Sequence, residues 1–124
     1  MLKTHFRAGT LALALFAAAL VLFAAAPAAA ETVRASWYGA KHEYLNKRTA
    51  SGEPFNPAAM ICAHRSLPFG ARLRVAYRGR SVVVRVADRG PARRTGRSLD
   101  LSRAAADALG LTRAGVGVVS INRL

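Results

Sequence analysis

Acids are scarce in this chain of 124 residues: six Asp and Glu stand against 19 Lys and Arg, for a net charge of +13. Cysteine is scarcer still, with Cys62 alone. One thiol excludes an internal disulfide, and Cys62 with His64 lacks the second ligand pair that a zinc site requires. Cys62 therefore reads as a small buried apolar residue, with a reactive or intermolecular thiol as the alternative. No cofactor or metal is called for. Aromatics make up 7%. The basic residues are scattered and show no helix-turn-helix, zinc-finger or aromatic RNA-binding pattern, which argues against nucleic acid as a partner.

Long apolar runs are also lacking, apart from one at the start. Lys3, His5 and Arg7 form a positive n-region, residues 8–26 are an uncharged run of 19, and Ala28-Ala29-Ala30 before Glu31 is an A-x-A cleavage signal. Residues 1–30 are thus expected to be a signal peptide sending the protein to the periplasm or the cell envelope. The alternative is an uncleaved anchor, since the run approaches the roughly 20 residues that span a bilayer. No cysteine follows the run, so no lipid anchor is expected.

Removing 30 residues from 124 leaves 94, room for one small domain, 31–124, expected to be a monomer. Without Lys3 and Arg7 that domain holds 17 bases against six acids, a charge of +11. Such a surface attracts polyanions, including carboxylate-bearing wall polymer, although arginines are also common on a plain solvated face.

What is present is organised around 82–91, VVVRVADRGP. The β-branched run predicts a central strand, and Gly90 with Pro91 stops it, so Asp88 is delivered to a strand end where a rigid scaffold meets a loop. Asp88 there is either a turn cap or a site acid. Upstream, 33–38 predicts a strand whose Trp37 and Tyr38 suit either core or sugar stacking. The polar 40–48 segment leads to TASGEP, which holds Glu53 between Gly52 and Pro54. Asn56-Pro57 has the form of an N-cap and first helical residue, predicting a short helix to about Ala63, followed by His64. Alternation in 71–77 predicts a half-buried strand joined to the central one in a hairpin through 78–81. Ser102 is the expected cap of a helix over 103–109 that Gly110 ends, and Asp100 lies just before that cap. A glycine-punctuated strand over 115–124 closes the chain. Many strands and little helix favour a small barrel.

WYG, TASGE, AHRSLPFG, DRGP, LDLSRAAADALGL and GVG occur in that order across the domain. In this ordered set the chain resembles the rare lipoprotein A (RlpA-like) family. The resemblance implies a mainly β fold, a six-stranded double-psi β-barrel with one or two short helices. It also implies a lytic transglycosylase acting on peptidoglycan glycan strands between N-acetylmuramic acid and N-acetylglucosamine. In that reaction the sugar's own 6-hydroxyl attacks and leaves a 1,6-anhydro ring, so one acid/base group can suffice where glycosidases use two.

The family's site residues fall on Glu53, His64 and Asp88. The expectation is Asp88 and Glu53 as the acid/base pair, His64 orienting, and Asp100 next, because it matches a site aspartate of the related expansins. Trp37, Tyr38, Thr49 and Arg89 complete the expected substrate-binding set. Arg85 and Arg89 flank Asp88 and would lower its pKa, the wrong direction for an acid, unless they pair elsewhere. Ala87 stands where the family commonly has Asn. The reading from another class is a non-catalytic, expansin-like barrel that holds wall glycan without cutting it.

Overall fold

The structure, a computed structural model, describes residues 30–38 and 47–124. The expected signal segment, apart from Ala30, and most of the 40–48 segment lie outside the described residues. Six strands run β1 (Glu31–Trp37), β2 (Ile61–Ala63), β3 (Arg72–Tyr77), β4 (Arg80–Asp88), β5 (Leu99–Leu101) and β6 (Val116–Arg123), with helix α1 (Arg103–Leu109) between β5 and β6. They close in the order β1-β5-β2-β4-β3-β6, forming the six-stranded double-psi barrel. The pairs β1/β5 and β2/β4 are parallel and the other four antiparallel.

Alternation decides what faces inward. In β3, Leu73, Val75 and Tyr77 are buried while Arg72 and Arg74 are exposed; in β4, Val84 and Val86 are fully buried. They meet Val33, Ala35, Leu99, Leu101, Val119 and Ile121 in one core. Each large aliphatic buried there stabilises the barrel by about 1.5–3 kcal/mol. Cys62 is part of that core, and burial pushes its thiol up to about 12, so it behaves as a small apolar residue.

The β3–β4 hairpin turns through Arg78-Gly79, both at positive φ (44° and 79°), the two-residue geometry whose twist matches paired strands. The arginine guanidinium lies 5.2 Å from the centre of the Tyr77 ring. The α1 helix starts and stops where its residues dictate. Ser102 Oγ accepts the Ala105 N–H, and Gly110 closes the helix at φ 73°. Ala105, Ala106 and Leu109 face the core.

The short helix expected from Asn56 to about Ala63 does not form. Asn56 Oδ1 accepts the Ala58 N–H at 3.0 Å and its carbonyl accepts the Ala59 N–H at 3.1 Å, which completes one turn. The chain then extends as β2, which fills the gap between β4 and β5. A helix this short has marginal stability of its own, whereas Ile61 and Cys62 as a strand are buried and close the barrel.

Candidate active site

The register of four strands builds a row. Ser36 pairs with Asp100 across β1/β5, Asp100 with Ala63 across β5/β2, and Ala63 with Asp88 across β2/β4. Paired residues share a face, so Ser36, Asp100, Ala63 and Asp88 line up. Their neighbours Ala35, Leu99, Leu101, Cys62 and Val86 belong to the core, so this row faces outward. Strands about 4.8 Å apart put the two aspartate backbones roughly 10 Å apart, with only the Ala63 methyl between them. A register shift delivers Asp88. Cys62 faces Val86, but Ala63 faces Asp88, which leaves Ala87 as the extra residue of a bulge. Ala87 is fully buried against Phe55 and Ile61, so the position where the family has Asn is packing here.

Asp88 Oδ1 accepts the backbone N–H groups of Ala50 and Arg89, each at 2.9 Å. The first bond ties the TASGE loop to the strand end, and Ser51 N–H adds a bond of 3.2 Å to the Ala87 carbonyl. Within the loop, Thr49 is buried, its hydroxyl 3.0 Å from the Glu53 carbonyl and 2.8 Å from Ser51 Oγ. These contacts make Thr49 a brace for the loop. Glu53 Oε1 lies 3.0 Å from Arg85 Nη1, beside a cavity of about 330 Å³ that both line with Asn56 and Ile61. Arg89 Nη1 donates to the carbonyls of Leu67 (2.9 Å) and His64 (3.3 Å), and its guanidinium lies 3.9 Å from the centre of the Phe69 ring. Both arginines beside Asp88 are thus engaged with other groups.

Asp100 is held differently. Ser36 donates its hydroxyl hydrogen to Asp100 Oδ1, and Arg97 Nη1 donates to Ser36 Oγ at 2.6 Å. Burial raises the Asp100 pKa above the usual carboxylate value; the Ser36 bond and Arg97 oppose this, and the charge of Asp88 adds to it. Tyr38 follows β1, its N–H bonded to the Leu101 carbonyl at 2.9 Å and its ring 5.0 Å from that of Phe55. Burial, then the charge of Asp88, with Cys62, Asp100 and Glu53 adding less, pushes its hydroxyl well above the ordinary tyrosine range. Tyr38 therefore sits among the acids.

His64 and Trp37 lie elsewhere. His64 Nδ1 accepts the N–H groups of Ser66 and Leu67, each at 3.1 Å, and the His64 backbone N–H donates to the Asp88 carbonyl at 3.2 Å. Its pKa is lowered, mainly by burial and then by Arg65, with Arg89 adding and Glu31 opposing, so the ring is neutral with its hydrogen on Nε2. It lines a cavity of about 460 Å³ at the barrel mouth with Glu31, Arg65, Val33, Leu73 and Ile121. Trp37 Nε1 donates to the Thr112 carbonyl at 3.1 Å and the Arg103 guanidinium lies 5.5 Å from the ring centre, so Trp37 is a wall of the barrel.

Two residues tied to Asp100, Ser36 directly and Arg97 through Ser36, were not singled out in the sequence. Strand alternation next to Trp37 was a usable signal for Ser36. Nothing local marks Arg97.

The family model described as lytic transglycolase matches residues 30–121. A relative from Nostoc sp., named a probable endolytic peptidoglycan transglycosylase RlpA, is 54% identical over 92 residues, which is 73% of this chain and 24% of the relative. One of the same name from Synechocystis sp. is 50% identical over 90 residues, 71% of this chain and 27% of the relative. The chain therefore spans about a quarter of the length of these relatives. Among solved structures, a Streptomyces papain inhibitor is similar with a TM-score of 0.61 at 23% identity, covering 79% of this chain and 96% of the inhibitor. That likeness concerns the fold.

Proposed function

The chain belongs to the lytic transglycolase family, and from that premise we propose that it is an endolytic peptidoglycan lytic transglycosylase. It cleaves glycan between N-acetylmuramic acid and N-acetylglucosamine and forms 1,6-anhydro ends. Residues 1–30 export it, and it works in the cell envelope. The observation that carries this reading is the outward row, in which the half-buried Asp88 and Asp100 flank the buried Ala63, with Glu53 on the loop beside them. A glycan laid along that wall meets carboxylates in two environments, and paired titratable groups held apart in this way divide acid and charge-stabilising roles.

In the reaction an acid protonates the leaving oxygen as positive charge builds at the muramic C1. A carboxylate nearby stabilises that charge, and the C6 hydroxyl closes on C1. Asp88, fixed by two backbone N–H donors, suits the second task. The resemblance places His64 in the site; its ring here anchors the 64–67 turn that Arg89 clasps, and so acts on Asp88 through the backbone.

The test is digestion of purified, peptide-free glycan strands by the chain, with product masses read beside an Asp88→Asn variant. Anhydro products that vanish in the variant are expected. Hydrolysed ends would mean a glycosidase, and glycan retained without any release would mean a wall-binding barrel.

A further inference from the structure

The two aspartates of the row differ in how their oxygens are occupied. A serine hydroxyl has one hydrogen. Arg97 donates into Ser36 Oγ, so the Ser36 hydrogen points away from the guanidinium and is given to Asp100 Oδ1. Oδ1 is thereby an acceptor in either protonation state. Among the described residues Asp100 Oδ2 has no hydrogen-bond partner.

We propose that Arg97 and Ser36 are positioning residues that confine the acid proton of Asp100 to Oδ2, making Asp100 the group that protonates the glycosidic oxygen. The inference rests on the transglycosylase reading for its substrate. It assigns the proton between the carboxylates of the row, and it adds two residues that the resemblance does not supply.

The relay is itself braced. Arg65 Nη1 donates to the carbonyls of Arg97 (2.7 Å) and Pro91 (2.9 Å), and Arg97 N–H donates to Thr95 Oγ1 at 3.2 Å. The carbonyl of Arg34 takes the N–H of Ser98 at 2.9 Å, which joins this loop to β1, the strand that carries Ser36. The arginine head is therefore fixed relative to the serine by backbone on both sides. The groups facing Asp100 are Ser36 and Tyr38 from the β1 side, Asp88 from β4 across Ala63, and Arg97 from the loop. Burial and the Asp88 charge favour its neutral form, while Ser36 and Arg97 restrain that preference.

The step balances. The Oδ2 proton passes to the glycosidic oxygen as the C1–O bond breaks, and the bonding pair leaves with that oxygen on N-acetylglucosamine. The C6 oxygen then bonds to C1, and its proton returns to Oδ2. Asp100 ends as it began, and no water is consumed.

The experiment follows the Asp100 carboxyl carbon by NMR through a pH titration of the labelled full chain, with Asp100→Asn used to assign the signal. Wild type is compared with Ser36→Ala, Arg97→Met and Ser36→Thr. The Asp100 midpoint should rise in Ser36→Ala and in Arg97→Met and return in Ser36→Thr, which keeps the hydroxyl. On peptide-free glycan, kcat/KM should fall roughly 10- to 100-fold in Ser36→Ala, the scale expected when a reacting group is misplaced. The alkaline limb of the pH profile should move up with the midpoint. An unmoved Asp100 midpoint in folded Ser36→Ala overturns the proposal, and so does an unmoved pH profile. Should Ser36→Ala fail to fold, Arg97→Met makes the same comparison. If wild type cuts no glycan, the transglycosylase reading and the catalytic half of this proposal fall together, while the midpoints still decide whether the relay exists.

Discussion

β2 separates two unlike regions. On the outer face of the barrel, Ala63 lies between Asp88 and Asp100, with Glu53 on the adjoining loop. At the mouth, just past the end of the same strand, His64 shares a cavity with Arg65, Arg93 and Arg123 and a single acid, Glu31. Half of the six acids in a chain of net charge +13 are thus gathered on one wall, a few residues from a basic mouth. Negative charges brought together cost free energy unless function or a compensating cation holds them there. The cations near the wall compensate unequally: Arg85 contacts Glu53 directly, Arg97 reaches Asp100 only through Ser36, and Arg89 turns to the 64–67 turn. On the proposed reading the wall carries the chemistry and the His64 turn supports it.

The largest test of that contrast is Asp100→Asn. If the wall does the chemistry, turnover on peptide-free glycan drops about 10²- to 10⁴-fold, the usual contribution of a general acid. The same variant should be more stable than wild type at pH 7. The folded pKa of Asp100 is raised, so its stabilising contribution is full below the unfolded value near 3.9 and lost as pH rises through the folded one. At neutral pH the buried charge is a burden that asparagine removes. A higher Tm at pH 7, vanishing below about pH 4, is the expected signature. A lower Tm at pH 7 would contradict it.

His64→Ala probes the mouth side and should do the reverse, costing stability before chemistry. It removes the acceptor of two N–H donors of the turn, one exposed and one partly buried, a loss of about 0.5–1.5 kcal/mol. The folded pKa of His64 is lowered, so its contribution is present above the unfolded value near 6.5 and lost as pH falls through that range. Urea unfolding at pH 7.5, 6 and 5 should show that acid slope in wild type and a flatter one in the variant. Turnover should fall far less than in the aspartate variants. An equal fall would merge the two regions into one site.

How far the sequence reveals this contrast depends on how local each signal is. The β3–β4 hairpin, the Ser102 cap and the Gly110 stop are set by neighbours in the chain, and each was legible. Asp88 was legible because a valine-rich strand ends at Gly90-Pro91. β2 was not. Ile61-Cys62-Ala63 is too short to show a period, and the preceding Asn-Pro is a genuine helix signal that the barrel overrides through pairings with β4 and β5. With β2 read as helix, no face could be assigned to Ala63 or His64, and His64 joined Glu53 and Asp88 only through the family resemblance. The Ser36–Asp100 contact joins residues 64 apart in the chain, and the sequence carries no register across that distance.

The smallest effect is expected at Arg85→Met. The Arg85–Glu53 pair is partly exposed, and such pairs contribute about 0.2–1 kcal/mol. Arg85 also stands directly opposite Arg72 across β3/β4, and like charges facing each other in a ladder cost a similar amount. Removing the guanidinium deletes both terms, which have opposite sign, so the urea midpoint should barely move. Turnover then becomes the informative quantity. With the fold unchanged, a fall in kcat/KM on peptide-free glycan would mean that Arg85 aims the Glu53 carboxylate along the wall beside Asp88. Unchanged turnover would leave the pair as a clip for the TASGE loop and confine the chemistry to the two aspartates flanking Ala63.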